Sequence, residues 1–204
     1  MSDLYYGILE FKNITMKEQL GIFVEPIISY ITSAFGNEMP EHEVDSAMKA
    51  SRIFIALTPS NKVLAFASLQ RHTVGDYIHK TLDYSDETPR LSLGGVSVGR
   101  KYQKQGIYSI LTQYRLAYVV IENVPVLSAT TQNPEIEKGT HKALEFYKNR
   151  GLLKEFNLER VLLPGFYKRR LTNFPLPRVA GTPYENLDFT AGDAYSLVIN
   201  LSHN

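Results

Sequence analysis

Hydrophobic residues recur along the chain with two spacings, and these predict where strands and helices lie. Short runs rich in aromatic and branched residues are typical of strands, whereas apolar positions repeated every three or four residues are typical of helices. The predicted strands are residues 4–12, Arg52–Thr58, Val63–Gln70, Leu91–Val98, Val124–Thr130 and Ala194–Leu201, and the predicted helices are residues 15–35, 42–50, Gly106–Ile121 and Thr140–Arg150. This order indicates an α/β domain with a mixed sheet.

Turn-forming residues separate these elements. Pro59-Ser60-Asn61-Lys62 lies between two strand runs and predicts a β-hairpin. Pro26 interrupts the first helical stretch and predicts a kink or two shorter helices, and Gly151 follows the last predicted helix as a C-terminal glycine commonly does. The polar residues 72–90 predict a surface loop. The Pro-containing residues 171–192 predict an ordered excursion over the surface, with a lid, a dimer contact and a simple loop as alternatives.

Composition narrows the class of protein. The 204 residues are 44% hydrophobic and 21% charged, and no linker or repeat divides them, so we expect one globular domain over residues 1–204. The chain has no cysteine, which excludes disulfides, thiolate metal ligands and a cysteine nucleophile. A net charge of +1 gives no overall basic field for nucleic acid or an anionic membrane. We find no signal peptide and no apolar run of about 20 residues, which predicts a cytoplasmic protein.

The segment Val96–Leu111 carries the clearest chemical pattern. A predicted strand ends near Val98, a polar loop follows, and a helix begins at Gly106. The first N–H groups of a helix have no intrahelical acceptor and lie at the positive end of its dipole, so they suit a phosphate. Glycine lets a phosphate approach the backbone closely, and three basic side chains lie nearby: Arg100, Lys101 and Lys104. The alternative is an ordinary strand-loop-helix in which the glycine serves only the turn.

The order of residue types resembles the acyl-CoA pyrophosphate loop of the GNAT superfamily of N-acetyltransferases, Gln/Arg-x-x-Gly-x-Gly/Ala after a strand that ends in Val. Here the loop reads Gln103-Lys104-Gln105-Gly106-Ile107-Tyr108, and Val98 stands eight residues before Gly106. Tyr108 departs from the small residue common at this position, so its side chain must point away from the diphosphate or the loop must be displaced. The resemblance implies these acetyl-CoA-binding residues: Val96, Val98, Gln103, Lys104, Gln105, Gly106, Ile107, Tyr108, Ser109, Asn133 and Thr140.

A second motif lies downstream. Ala143–Leu152 resembles the family's helix and turn, A-x-x-F/L-Y-x-x-x-G-F. The resemblance implies that the Tyr147 hydroxyl lies beside the sulfur of CoA and acts as the catalytic acid that protonates the leaving thiolate. The alternative is a core aromatic, since Ala143, Phe146 and Tyr147 share one face of the predicted helix.

The entry to this helix departs from the family pattern, which commonly has an Asn about two helical turns, or about seven residues, before the Tyr. Thr140 occupies that position and is predicted to be the helix N-cap. Asn133 lies fourteen residues before Tyr147, and we interpret Pro134–Gly139 between them as an insertion. Asn133 either reaches the cofactor or shapes the turn with Pro134, and we favour the turn.

The pair Gly94-Gly95 lies inside the strand that leads to Val98. Glycine inside a strand often marks a bulge or the close approach of another backbone. The resemblance implies a bulge that splays this strand from the next one, with acyl-CoA held by the splayed pair. Its pantetheine arm would pair with the backbone of Val96 and Val98 like an added strand. The alternative is a local twist without a ligand.

The resemblance is best over residues 50–152, and residues 153–204 match in general the family's C-terminal strands, with a loop excursion. It implies a GNAT-like mixed central sheet with flanking helices and an acetyl-CoA-dependent N-acetyltransferase. Its acceptor would be an amine, for which we favour a small molecule, with a protein or peptide amine as the alternative. The alternative is a non-catalytic module that binds acyl-CoA or a partner protein, and a homodimer through a sheet edge near the C-terminus stays open.

The sequence identifies neither a general base nor a metal site. Asp83, Asp86 and Glu87 either line the acceptor cleft or belong to a solvated loop, and Ser92 and Ser97 are candidates for ordering a water molecule. The histidines show no metal-ligand spacing, and we interpret them as structural or surface residues: His72, His79 and His141.

Overall fold

The computed structural model describes residues 4–9, 23, 25–27, 29, 52–71, 90–170 and 184–204 of the chain. The strands are β1 (Tyr5–Leu9), β2 (Arg52–Leu57), β3 (Val63–Arg71), β4 (Arg90–Val98), β5 (Val126–Thr131), β6 (Glu155–Leu163) and β7 (Ala194–Ser202). The helices are α1 (Ile107–Ile121), α2 (Pro134–Lys148) and the short α3 (Phe166–Arg170). Over these described ranges the strands form one mixed sheet in the order β1-β2-β3-β4-β5-β7-β6, so the predicted α/β class is confirmed.

Strands β2 and β3 form the predicted hairpin. They pair antiparallel, with Ile55 opposite Phe66. Asn61 has a φ of 61°, a left-handed conformation that asparagine tolerates better than most residues. Thr58 N donates to Lys62 O at 3.0 Å and closes the turn. The local turn residues are therefore sufficient to account for this hairpin.

Helix α2 begins six residues before the predicted start at Thr140. Asn133 is its N-cap and accepts from Glu135 N at 2.9 Å, and Pro134 is its first residue. Glu135 and Glu137 lie in the first turn, where the helix dipole favours negative charge. The prediction that Thr140 caps the helix is wrong, because the Asn-Pro-Glu start satisfies the helix end earlier. The six residues ahead of Thr140, which we interpreted as an insertion, form the first turns of this helix.

One apolar cluster holds the helices to the sheet. Helix α1 packs against β2, β3 and β4, and α2 contacts α1 and β6. The buried residues of α1 recur at helical spacing, so this helix has one continuous buried stripe: Ile107, Leu111, Thr112, Arg115, Leu116, Val119 and Val120. The cluster also includes residues of five strands and of α2: Phe54, Leu69, Leu91, Leu127, Ala143, Leu144 and Ile199.

The sheet is continuous on one side and divided on the other. Strand β7 pairs antiparallel along both edges, with Tyr195–Asn200 opposite β5 and Ala194–Ser202 opposite β6. Strands β4 and β5 run parallel but pair only where Arg90–Ser92 lies beside Val126–Ser128. Leu93–Val98 has no partner in β5 within the described residues, so the predicted separation of these two strands is confirmed.

Several predicted segments lie outside the described residues: 10–12, most of 15–35, 42–50, 72–89 with its acidic residues and histidines, and 171–183. Residues 23, 25–27 and 29 are helical, as the pattern predicts. The end of the 171–192 excursion packs beside α2, where Tyr184 Oη donates to Glu137 at 2.6 Å. None of the helices in the described ranges is long and apolar enough to cross a membrane.

Candidate functional site

A bulge in β4 opens the sheet at Gly94 and Gly95. Two steps along β3, from Ala67 to Leu69, span three steps along β4. A Cβ at Gly94 would lie 2.2 Å from Ser68 Oγ, so a larger residue here would force Ser68 to move. The predicted bulge is therefore confirmed, and it lies where β4 leaves β5.

The free edge of β4 presents backbone groups to this opening. Gly99 N donates to Leu64 O at 2.9 Å, so the backbone of Gly99 faces β3. Neighbouring residues of a paired strand direct their backbone groups to opposite sides. Val96 and Val98 therefore direct theirs away from β3 and toward the opening. Gln103 Nε2 reaches back to the Val98 carbonyl at 3.1 Å and ties the following loop to the strand end.

Helix α1 starts at the same end of β4 with its first turn uncapped by any side chain. Its N-cap Gly106 has a φ of +80°, and a Cβ there would meet nothing in the described residues within 4 Å. Ile110 N makes the first helical bond, to Gly106 O at 3.1 Å. The N–H groups ahead of it have no helical acceptor: Ile107, Tyr108 and Ser109. The first turn has no acidic residue, so the backbone here suits an anion.

The loop between β4 and α1 adds positive charge beside this helix end. Gln105 Nε2 donates to Lys101 O at 3.2 Å and holds the loop closed. Lys104 adopts a left-handed φ of 62° and is exposed, as are Arg100 and Lys101. The described ranges contain no ion-pair partner for these three cations.

Two residues of the loop motif direct their side chains into the protein. Ile107 is 1% exposed, so only its backbone is available to a ligand. The Tyr108 ring lies against α2, where a Cβ at Gly139 would approach Tyr108 Cε1 to 3.1 Å. The Tyr108 hydroxyl is buried and has no hydrogen-bond partner among the described residues. Sequence reasoning missed Gly139, the residue that makes room for Tyr108 on the neighbouring helix.

Tyr147 lies in the core near the end of α2. Its Oη donates to Gln113 O of α1 at 2.7 Å, and its ring packs edge-on against Phe146. Burial, and to a smaller extent Tyr114, raises the pKa of Tyr147 above that of a free tyrosine. The phenol is therefore protonated at neutral pH, as a catalytic acid must be, but its proton is donated to a backbone carbonyl. Its catalytic role stays a prediction.

The two residues at the entry to α2 lie in different surroundings. Asn133 caps the helix, in agreement with the turn role that we favoured, and its contact with a cofactor stays untested. Thr140 is fully buried, and its hydroxyl donates to Ile136 O at 2.8 Å. The predicted contact between Thr140 and a cofactor does not fit this position, because the residue has no accessible surface.

Sequence reasoning also missed Arg115, which lies on α1 beneath the bulge. Arg115 is 2% exposed, and its Nη1 donates to Ser68 O at 3.3 Å and to Gly94 O at 3.4 Å. Nη2 donates to Thr112 Oγ1 at 3.1 Å. Burial lowers the pKa of Arg115 to about 10, while Tyr108 acts in the opposite direction, so the side chain is charged at neutral pH. The detectable sign in the sequence is a charged residue inside the apolar stripe of α1.

Two other polar candidates in the described ranges, Ser92 and His141, are not placed to act as a base at the opening. Ser92 is buried in the last pair with β5, opposite Ser128. His141 is exposed and packs edge-on against Phe156. In the ranges that the structure describes, no group of three or more histidine and acidic residues is placed to hold a metal ion.

The chain matches no protein-family model and no curated protein by sequence, but it matches solved acetyltransferase structures. Mosquito arylalkylamine N-acetyltransferase like 5b is 11% identical, with 98% of this chain and 100% of that chain covered and a TM-score of 0.58. An IAA acetyltransferase from Bacillus cereus is 13% identical, with 96% and 98% covered and a TM-score of 0.53.

A third match is an acetyltransferase from Bacillus subtilis that was solved in complex with CoA. It is 13% identical to this chain, with 98% of this chain and 99% of that chain covered and a TM-score of 0.50. At such low identity these matches establish the fold alone. The chain has the GNAT fold, as the resemblance implies.

Proposed function

We propose that this chain, which has the GNAT fold, is an acetyl-CoA-dependent N-acetyltransferase that acts on an amine. One observation carries the proposal. The edge of β4 that separates from β5 after Ser92 leads directly to the uncapped N-terminus of α1. An extended thioester with a diphosphate needs unpaired strand backbone for its amides and helix N–H groups for its phosphates. Both lie at the same end of one strand here.

The diphosphate would bind at the first turn of α1. Its oxygens would accept from the N–H groups of Ile107–Ser109, and the lack of a Cβ at Gly106 leaves room for them. Lys101 and Lys104 would add charge attraction, which strengthens such hydrogen bonds. The pantetheine amides would pair with the backbone of Val96 and Val98 in the manner of an added strand.

Transfer of the acetyl group needs a neutral amine, a polarised thioester carbonyl and a protonated leaving thiolate. An alkylamine has a pKa of about 10.4 and must lose a proton first, to a base or a chain of water molecules. A backbone N–H at the free edge of β4 is suited to stabilise negative charge on the carbonyl oxygen. Tyr147 is our candidate for the acid because it occupies the tyrosine position of the motif that Ala143–Leu152 resembles, and its phenol is protonated at neutral pH.

A second candidate function is binding of acyl-CoA without transfer. The hydrogen bond from Tyr147 Oη to Gln113 O favours it, because a phenol anchored to a backbone carbonyl is a structural element of the core. For Tyr147 to act as the acid, its proton must turn from this carbonyl to the thiolate. Measuring turnover separately from binding distinguishes the two functions.

The acceptor is proposed from analogy with the neighbours alone. The mosquito structure is an arylalkylamine N-acetyltransferase, which makes arylalkylamines the first small molecules to test. Peptide N-termini and lysine side chains form the second set, since the sequence leaves protein and peptide amines open.

Calorimetric titration with acetyl-CoA, CoA and pantetheine tests the proposal. We expect micromolar Kd values for acetyl-CoA and CoA and much weaker binding of pantetheine, because pantetheine lacks the diphosphate. Release of free thiol in the presence of the amine panel then reports turnover. If acetyl-CoA does not bind, the proposed function is wrong; if it binds and no amine releases thiol, the second candidate is favoured.

A further inference from the structure

Arg115 is a buried charge in the core, and the described ranges of the chain give it no carboxylate partner. It is 2% exposed and lies on the stripe of α1 that faces the sheet. All of its hydrogen bonds go to two backbone carbonyls and one hydroxyl, and Nε has no partner in the described part of the chain. A buried cation without a carboxylate loses its hydration, and only the dipoles of neighbouring carbonyl and hydroxyl groups stabilise its charge. An apolar residue would pack at this position with less desolvation, so stability alone does not account for an arginine.

The carbonyls that Arg115 contacts belong to the bulge. Ser68 on β3 lies opposite the extra residue of β4, where the one-to-one register between the strands is lost. Gly94 is on the bulged strand itself. Carbonyls at a bulge lose regular ladder partners, and a buried carbonyl without a donor is costly. A guanidinium has several donors in one plane and can therefore bond carbonyls of two adjacent strands at once.

We propose that Arg115 is a positioning residue that fixes the bulge of β4 and thereby holds β4 away from β5 where acyl-CoA enters. This inference rests on the proposed function, since it assigns Arg115 a task in the same site. Arg115 acts through the Gly94 carbonyl and does not touch the reacting atoms. Thr112 Oγ1 accepts from Nη2 and orients the guanidinium from within the same helix.

Loss of this contact has a defined structural consequence. A strand that slips by one residue turns every backbone and side-chain group to the opposite side. If the extra residue of the bulge moved along β4, Val96 and Val98 would direct their backbone groups at β3 and not at the opening. The diphosphate loop would then be connected to a strand edge that no longer fits the rest of the ligand.

The test compares Arg115→Met, Arg115→Lys and the control Val119→Ala. Val119 is buried one turn further along the same face of α1, and its apolar side chain has no donor for the bulge carbonyls. The amide signals of Gly94 and Gly95 in a ¹H–¹⁵N spectrum report the bulge directly, without any ligand. Calorimetry with acetyl-CoA reports Kd, and thiol release reports KM and kcat.

We expect Arg115→Met to shift both glycine signals and to raise Kd and KM for acetyl-CoA. Displacement of a bound substrate by about 1 Å can cost about a hundredfold in rate, so a loss of about 10- to 100-fold in kcat/KM is expected. Arg115→Lys retains a charged donor that reaches one carbonyl, so it should recover part of the loss. Val119→Ala should lower the unfolding temperature and leave the glycine signals and Kd unchanged.

Unmoved glycine signals in a folded Arg115→Met protein would overturn the proposal, and so would an equal change of Kd in Val119→Ala. If Arg115→Met does not fold, Thr112→Val decides, because it keeps the charge but removes the hydroxyl that orients the guanidinium through Nη2. A smaller shift of the same two signals supports the proposal, and no shift contradicts it. Failure of the unchanged protein to bind acetyl-CoA refutes the proposed function, whereas the glycine signals still test the contact with the bulge.

Discussion

Strands β4 and β7 are both nine residues long, but the sheet uses them differently. Strand β7 pairs along both edges, and its central Leu197, Val198 and Ile199 are buried. Strand β4 pairs with β3 on one edge but with β5 over three residues only, and it carries Gly94 and Gly95 at its centre. The paired half stabilises the fold with side chains, whereas Leu93–Val98 of the divided half has no backbone partner in β5 among the described residues.

This difference separates the part of the sheet that stabilises the fold from the part that we propose binds acyl-CoA. Branched residues in β7 gain from burial on both faces. The two glycines of β4 contribute almost no burial and let the strand bend where a Cβ would collide with Ser68. Mutations in the two halves should therefore separate into effects on unfolding and effects on ligand affinity.

The largest effect is expected for Gly106→Val, which places a branched side chain where the diphosphate would lie. Loss of two charge-assisted hydrogen bonds, each about 1.5–3 kcal/mol, should weaken acetyl-CoA binding by at least about a hundredfold in calorimetry. Gly151→Val is the matched control, because Gly151 has a similar φ of 68° and equal open space. Both variants should lose about 1–2 kcal/mol of stability from backbone strain. Equal Kd values would place the diphosphate elsewhere.

The next largest effect is expected in the paired half. Ile199 is fully buried in β7, and Ile199→Ala should lower the free energy of unfolding by about 2–5 kcal/mol in a denaturant titration. The Kd for acetyl-CoA should not change at temperatures where the variant is folded. A parallel loss of affinity would show that the two halves of the sheet do not act independently.

Tyr147→Phe removes the hydroxyl that bonds α2 to the Gln113 carbonyl of α1. If Tyr147 is the acid, kcat should fall by about a hundredfold while Kd is retained. Loss of its bond to Gln113 should cost about 1 kcal/mol of stability. Tyr184→Phe is the control, because it also removes one hydrogen-bonded phenol hydroxyl, from a tyrosine that is not a candidate acid, and should lower stability without the same loss of kcat. An unchanged kcat would leave Tyr147 as a core anchor.

The smallest effect is expected for the contact between Tyr108 and Gly139. Gly139→Ala gains about 1 kcal/mol of helix propensity, but its Cβ would press on the Tyr108 ring. We therefore expect Gly139→Ala to be destabilising alone and stabilising by about 1 kcal/mol in a Tyr108→Ala background. Thermal unfolding of the four proteins in this double-mutant cycle measures the coupling. Additive effects would show that the two helices are not in close contact here.

Local residues predicted much of the fold. The Pro59–Lys62 turn, the start of α1 at Gly106 and the bulge at Gly94 follow from residue types that act within a few positions. The prediction for the start of α2 is wrong because it follows the residue spacing of the family motif and not the pair Asn133-Pro134, which is a typical N-cap and first helical residue. Strand β6 had no prediction of its own, since its alternate residues are exposed along a sheet edge and few of them are buried.

The site was only partly predictable, because its contacts join distant parts of the chain. Tyr147 and Gln113 are 34 residues apart, and Arg115 is 47 residues from Ser68. A sequence motif identifies a functional residue, but it does not identify the distant group to which that residue forms a hydrogen bond. Arg115 was still detectable as a charge in an apolar stripe, whereas Gly139 became meaningful only when Tyr108 was found beside it.

The length of α2 also fixes the direction in which Tyr147 points about the helix axis, relative to the start of the helix. Each residue turns a helix by about 100°, so seven residues end about 20° short of two full turns. The stretch from Asn133 to Tyr147 is fourteen residues, twice the spacing that the resemblance implies, and the direction of Tyr147 toward α1 is nearly preserved. A single residue inserted between Gly139 and Tyr147 would instead swing the phenol by about 100° relative to the helix start. Helix α2 can therefore change length by seven residues far more easily than by one.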